Sequence, residues 1–451
     1  MGEVRVPSDA LYGASTARAI ENFPISKLRF PGDFISVLCR IKACSAKTNE
    51  ELGLLDPQIA KAIVNAANSI ADGAYRNEFP VDIFQTGSGT STNMNANEVI
   101  ANLALELMGK EKGARDVVHP NDHVNLGMSS NDVIPTAIHI TAYQGINNRL
   151  LPALKNLEAA LDKKAVQFMP VVKTGRTHLQ DAVPISLGQE FLGYAGQVKA
   201  CRKKLAVSSQ SLRKVALGGT AVGTGLNTRK DFASLVLKKL SSELGCDFEE
   251  TDNHFRSQSS IDDMVSTSSS LKVLAVALLK ISNDLRFLSS GPRAGYGELR
   301  LPEVQPGSSI MPGKVNPVIL ESLCMVCAQV IGNDSTLTIA GQSGNFELNV
   351  MLPVAAYNLF ESIEILSNAV KNVTEKCILE IDATEVGPKL AGASLSLATA
   401  LVPKLGYDRA CQIAKDAHAT GRTVLESALA LTELEESELK RLLDPASMTG
   451  L

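Results

Sequence analysis

Apolar residues recur at steps of three and four through most of the middle of the chain. Leu187, Phe191, Tyr194, Val198, Cys201 and Leu205 form one seam, and Leu271, Leu274, Leu278, Ile281, Leu285 and Leu288 form a second. A third runs through Leu352, Ala356, Leu359, Ile363, Leu366, Val370 and Val373. A weaker seam links Tyr143, Ile146, Leu150, Leu154, Leu157 and Leu161, and Leu320, Leu323, Cys327 and Val330 follow Pro317. Such spacing puts the apolar side chains on one stripe of an α-helix, whereas a strand would alternate them. Five seams predict a bundle of five long helices. Strand signals are few and aromatic residues make up 4% of the chain, so the reading is an all-α protein.

The bundle is expected over 128–353, its last helix extending to about 374. A mixed, mainly helical domain is expected at 1–127 and a small helical domain at 354–451. Three domains suit 451 residues, which exceed one ordinary core. In the last domain, TELEESELKRLL carries a capping-box pattern, Thr432 with Glu435.

The breaks between seams are polar. SSNDVIP (129–135), THLQDAVP (177–184) and GSSIMPGKVNP (307–317) each end in a proline and are expected to lead into a helix. Asn316 is the expected N-cap of the last of these. Helix N-termini present free N–H groups and a positive dipole end, which suit carboxylates or phosphates. QTGSGTSTNMNANE (85–98) is rich in hydroxyls and amides but lacks the GK[ST] ending of a phosphate loop, which argues against nucleotide binding. GGTAVGTGLN (218–227) reads as a tight glycine loop.

Composition removes several classes. A net charge of -4 gives no basic excess, so nucleic acid is not an expected partner. No apolar run is expected to span a bilayer, and MGEVRVPSDALYG resembles neither a signal peptide nor a presequence, so the expectation is cytoplasmic. Eight cysteines do not make a disulfide scaffold in a chain of this size. Cys324 and Cys327 form a lone CxxC in a helical stretch, where core packing is the simpler reading than a metal site. No metal or cofactor is expected. The groups placed for proton transfer are His178, beside Arg176 in a polar loop, His119 in the HPND run, and Glu321 just beyond Pro317. His139, His254 and His418 have less informative surroundings.

GSSIMPGKVNP resembles the signature of the fumarase/aspartase superfamily, whose members eliminate across a C–C bond next to a carboxylate. TGSGTSTNMNANE, HPND, SSND, GRTHLQDA, LGGTAVGTGLN and GNFELNV narrow the resemblance to the class II fumarases, over nearly the whole chain. Aspartase-like sequences tend to have Gln at His178, Ala at Gly313 and QLQLNV in place of NFELNV. The alternatives carried forward are aspartate ammonia-lyase chemistry on the same fold and a catalytically silent structural homologue, which would be expected to have lost the base or the histidine.

The resemblance implies a cofactor-free hydratase acting on a small dicarboxylate, fumarate or L-malate, through an aci-carboxylate carbanion. It implies a homotetramer with a helical core and sites shared between subunits. Ser308 would be the base on a mobile loop, and His178 with Glu321 would handle hydroxide or water. Lys314 and Asn316, with Ser309 and Val315 beside them, would hold a substrate carboxylate. Ser88, Gly89, Thr90, Ser129, Ser130, Asn131 and Thr177 would supply neutral hydrogen bonds. His119, Pro120, Asn121 and Asp122 match a secondary dicarboxylate site. Two positions depart from the family pattern: Asp116 stands where an arginine is usual, with Arg115 displaced by one, and Met128 replaces a glutamine.

Overall fold

A computed structural model describes residues 2–451. In chain order its main helices are α1 (Ala14–Asn22), α2 (Gly32–Glu51), α3 (Pro57–Ala71), α4 (Thr90–Leu107), α5 (Ser130–Gly145) and α6 (Leu151–Phe168). The hairpin β1 (Val172–Thr177) and β2 (Gln180–Ser186) follows, then α7 (Leu187–Ser208), α8 (Phe232–Leu244), α9 (His254–Ser259), α10 (Asp262–Leu288), α11 (Val318–Gly341) and α12 (Leu352–Lys376). Short helices complete the chain. The remaining strands are two-residue pieces in two-stranded pairs, so the protein is all-α.

The seams become buried stripes. Leu187, Phe191, Tyr194, Val198 and Leu205 on α7 are inaccessible or nearly so, as are Leu271, Leu274, Leu278 and Leu285 on α10 and Leu352, Leu359, Leu366 and Val370 on α12. Between Ile146 and Leu161 the burial repeats at the same spacing, through a π-helical turn that joins α5 to α6. Contrary to expectation, α10 and α11 are long and apolar enough by composition to cross a bilayer, although only 50% and 39% of their apolar windows are buried. Both helices also leave apolar side chains exposed, Val276 and Phe287 on α10 and Met325 and Ile339 on α11.

The chain forms two compact units. One contains residues up to Leu151, Lys204–Val273 and Gln329–Leu366. Within it α2 packs on α3, α5 and α8, and α3 packs on α4. Asp56 starts α3 by accepting from the Gln58 and Ile59 N–H groups, with Pro57 at the first helical position. The other unit contains Pro152–Lys203, Leu274–Ala328 and Ser367–Leu451. There Phe168, Phe191 and Tyr194 meet edge to face at 5.1 and 5.6 Å. A satellite core of Leu397, Leu401, Ile413, Ala417 and Leu439 holds the C-terminal helices.

Three local expectations are corrected. Thr432 does not cap the final helix, whose N-cap is Glu435; its hydroxyl donates to the Ala428 carbonyl, and the capping box lies earlier, at Thr423 and Glu426. Pro135 lies inside α5, because the Ser129–Asp132 capping box starts that helix several residues sooner. Pro184 lies in β2, opposite Thr174, and the helix begins only at Leu187. A proline is tolerated there because each strand of a two-stranded ribbon is an edge.

Candidate active site

The candidate residues form local groups, each set by its own backbone device. In the first unit α4 starts at a left-handed glycine, Gly89, with φ +74°, and a Cβ there would meet Ile134 at 2.9 Å. Glycine is needed on both counts. Gly89 has no side chain to cap α4, and Gln85 Oε1 takes the Thr92 N–H at 2.9 Å, which leaves the Thr90 and Ser91 N–H groups at the helix start without a capping side chain. The Ser88 and Thr90 hydroxyls lie 2.7 Å apart, and Thr90 donates to Ser130 Oγ at 2.9 Å. Ser88, Thr90 and Ser130 therefore form one hydroxyl cluster where α4 and α5 begin.

Ser129 caps α5, and the Asn131 amide donates to the Ala221 carbonyl at 2.8 Å. Asp132, fully buried, takes N–H groups from Ser129, Gly218 and Thr220. Burial pushes its carboxyl up to about 6, against the pull of those N–H groups and of Lys42. Burial likewise pushes the Lys42 ammonium down to about 7, against the attraction of Asp132. Met128 is buried and accepts from Ser45 Oγ at 3.3 Å, so the departure there lies in packing.

The second unit holds Thr177 and His178 at the tip of the β1–β2 hairpin. His178 and Leu179 both have positive φ, +57° and +59°, as a two-residue turn with the twist of a type I′ hairpin requires. Neither is glycine, so the turn carries backbone strain, which tends to gather at functional sites. Charge anchors strand β1 along its length. Arg176 pairs with buried Glu298 and lies over the Tyr296 ring at 4.4 Å, and Lys173 approaches Glu298 at 3.2 Å.

The loop 307–317 is irregular and largely exposed. Ser308 Oγ accepts from the N–H groups of Ile310 at 3.2 Å and Met311 at 3.1 Å. Gly313 takes φ +78°, and Ser309, Lys314 and Val315 face solvent. Asn316 is not the cap of α11: its amide donates to the Gly307 carbonyl at 2.6 Å instead. Glu321 lies in the first turn of α11. Within the chain no hydrogen bond joins His178 to Glu321 or to Ser308 among the described residues.

His119 starts a short π-helical turn, Pro120–Val124, and its Nδ1 accepts from the Asn121 and Asp122 N–H groups. His123 Nδ1 accepts in turn from the His119 N–H at 2.9 Å, a contact the motif alone does not suggest. Asp116 and Arg115 are both exposed. Cys324 and Cys327 sit on α11, and among the described residues no group of three or more His, Cys, Asp or Glu could hold a metal ion. Sequence reasoning missed Asp132, Lys42 and Glu298. The S-x-x-D capping pattern and a lone lysine within apolar ISVLCRIKAC were the available signals for the first two.

Residues 2–332 match the lyase family and residues 397–450 match the fumarase C C-terminus family. The fumarate hydratase class II of Xylella fastidiosa (strain Temecula1) is 52% identical over all of this chain and 94% of its own length. The Arabidopsis thaliana protein named fumarate hydratase 1, mitochondrial, is 48% identical over all of this chain and 92% of its own. A crystal structure of class II fumarase from Schistosoma mansoni superposes with a TM-score of 0.96 at 38% identity, covering 99% of this chain and 97% of that one. The chain thus belongs to the lyase family and, within it, to the class II fumarate hydratases, which are hydro-lyases.

Proposed function

We infer that this chain adds water reversibly to fumarate to give L-malate, with Ser308 as the base that takes the proton from the carbon beside a carboxylate. The observation that carries this reading is the pair of N–H groups already aimed at Ser308 Oγ. A serine hydroxyl is far too weakly acidic to act as a base in water. Preorganised donors that favour its alkoxide are what the role requires. A helix through 307–317 would spend those donors on its own carbonyls, and that explains why the chain breaks there.

Lys314 and Asn316 hold a substrate carboxylate and stabilise the aci-carboxylate charge that develops as the proton leaves. The Asn316 amide gives one hydrogen to Gly307 and keeps its second hydrogen and its oxygen for substrate. Ser88, Thr90, Ser129, Ser130, Asn131 and Thr177 give neutral hydrogen bonds, and His178 with Glu321 serves the departing hydroxide or incoming water. These groups come from different subunits of a homotetramer. Exposed Leu192, Val207, Val276, Phe287, Met325 and Ile339 on α7, α10 and α11 support an oligomeric surface. Eight free cysteines suit a reducing compartment, and the enzyme is assigned to the cytoplasm.

Loss of fumarate absorbance, followed with and without ammonia, tests the reading. Malate formation without ammonia is expected. Aspartate deamination with no malate formed would assign the chain to the ammonia-lyases, and silence in both assays would make it a structural homologue.

A further inference from the structure

Two fully buried charged side chains, Lys42 on α2 and Asp132 on α5, have no part in the chemistry above. Asp132 spends both oxygens on backbone. Oδ1 accepts from the Ser129 N–H at 2.9 Å, and Oδ2 accepts from Gly218 at 3.1 Å and Thr220 at 2.9 Å. One carboxylate thereby ties the start of α5 to the glycine loop 218–227, and Asn131 returns the tie through the Ala221 carbonyl.

The other side of the segment is held by Lys42. Its ammonium donates to Asn125 Oδ1 at 2.6 Å, which also receives the Asn93 amide at 3.3 Å. The Asn125 amide then donates to the Met128 carbonyl at 2.9 Å. Residues 128–131 are therefore gripped from two directions, by a chain ending on a buried cation and by a buried carboxylate.

Capping a helix needs one acceptor on one N–H and no buried charge. Removing two ions from water costs several kcal/mol for each. This expenditure exceeds what starting α5 requires, but it suits a segment whose donors must not drift, since a site needs its ligands held by a rigid supporting shell.

We propose that Asp132 and Lys42 are positioning residues for substrate recognition, fixing Ser129, Ser130 and Asn131 in the geometry that receives a substrate carboxylate. The proposal rests on the reading of those three residues as substrate ligands. Asp132→Asn is a severe change despite its size. Whichever way the amide faces, its NH2 opposes either the Ser129 N–H or those of Gly218 and Thr220. Lys42→Met keeps the approximate volume and removes the donor to Asn125.

The test compares both variants with Glu98→Gln, a matched control in the same unit. Glu98 is also buried and accepts from the N–H groups of Gly13, Ser15 and Thr16, but it anchors α1 and no candidate ligand. On the assembled enzyme, KM and kcat for fumarate are measured together with calorimetric binding of succinate, a dicarboxylate that cannot react. Loss of ground-state binding raises KM and leaves kcat largely intact.

Asp132→Asn should raise KM and the succinate Kd about tenfold, the effect of losing about 1.4 kcal/mol of binding. Lys42→Met should move both in the same direction by less, and Glu98→Gln should lower the thermal midpoint without moving either. Should Asp132→Asn not fold, Lys42→Met and succinate carry the test alone. Unchanged KM and Kd in a folded Lys42→Met protein overturns the proposal. A wild-type protein that binds succinate but does not hydrate fumarate overturns the functional reading instead.

Discussion

The Asn316 side chain donates to the Gly307 carbonyl at 2.6 Å, and this bond closes the neck of the loop that carries Ser308. The neck has no spare room, because a Cβ on Gly307 would meet the Lys314 carbonyl oxygen at 2.0 Å. The loop combines an open rim with a sealed base, so Ser308 is set by backbone contacts.

Gly307→Ala should therefore disable the enzyme without unfolding it. The added methyl must displace Lys314 and Asn316 together, and a misplacement near 1 Å costs about 100-fold in rate. The expected result is a kcat/KM lowered by about that factor with a thermal midpoint close to wild type, since the loop is largely exposed. Near-normal kinetics would show that the neck geometry does not matter.

Ser308→Ala removes the acceptor of the Ile310 and Met311 N–H groups and, on the proposed mechanism, the base itself. Proton transfer by a positioned side chain is worth about 10²–10⁴-fold, and that loss belongs in kcat. KM should change far less, because the hydroxyl acts on developing charge and not on ground-state binding. Steady-state kinetics on fumarate checks this. A near-wild-type kcat would place the base elsewhere.

The sequence made the helices legible because a helical seam is a local signal. Leu271 through Leu288 predicted α10, and the same residues are buried in it. The β1–β2 hairpin was not legible. Its two-residue turn is His178-Leu179, without the glycine or asparagine that usually marks such a turn, and a proline closing a polar stretch reads equally well as a helix start. The candidate site divides the same way. Ser308 and His178 are visible as types of residue in broken, polar stretches. Glu298 beneath Arg176 lies 122 positions away, and the Gly218 and Thr220 contacts of Asp132 lie 86 and 88 away, so only the folded chain reveals them.

The two buried ions should leave opposite marks on stability. The Lys42 ammonium falls from an ordinary 10.5 to about 7, so its contribution is fully present above 10.5 and is lost as pH falls through 7. The Asp132 carboxyl rises from 3.8 to about 6, so its contribution is present below 3.8 and is lost as pH rises through 6. From about pH 7 to about pH 10, Lys42 makes wild type gain stability over Lys42→Met, and the loss of Lys42 lets the Asp132 carboxyl rise further in the variant, which acts in the same direction. The wild-type denaturant midpoint should rise relative to that of Lys42→Met as pH increases across that range. A constant difference would mean that Lys42 titrates normally in the folded protein.

The last prediction concerns how the site is assembled. His178 and Glu321 form no hydrogen bond within one chain, although the proposed chemistry pairs them, and His178 stands exposed at a strained hairpin tip. A site shared between subunits resolves this, with the histidine of one chain serving the loop of another. Ser308→Ala and His178→Asn proteins, each nearly inactive alone, should then regain activity when unfolded together and refolded as a mixture. Some mixed assemblies will hold a site with an intact serine from one chain and an intact histidine from another. Isotopically distinct chains analysed by native mass spectrometry would establish that mixing took place. Mixed assemblies that stay inactive would put Ser308 and His178 of every site on the same chain, and would overturn the shared site while leaving the proposed chemistry of Ser308 intact.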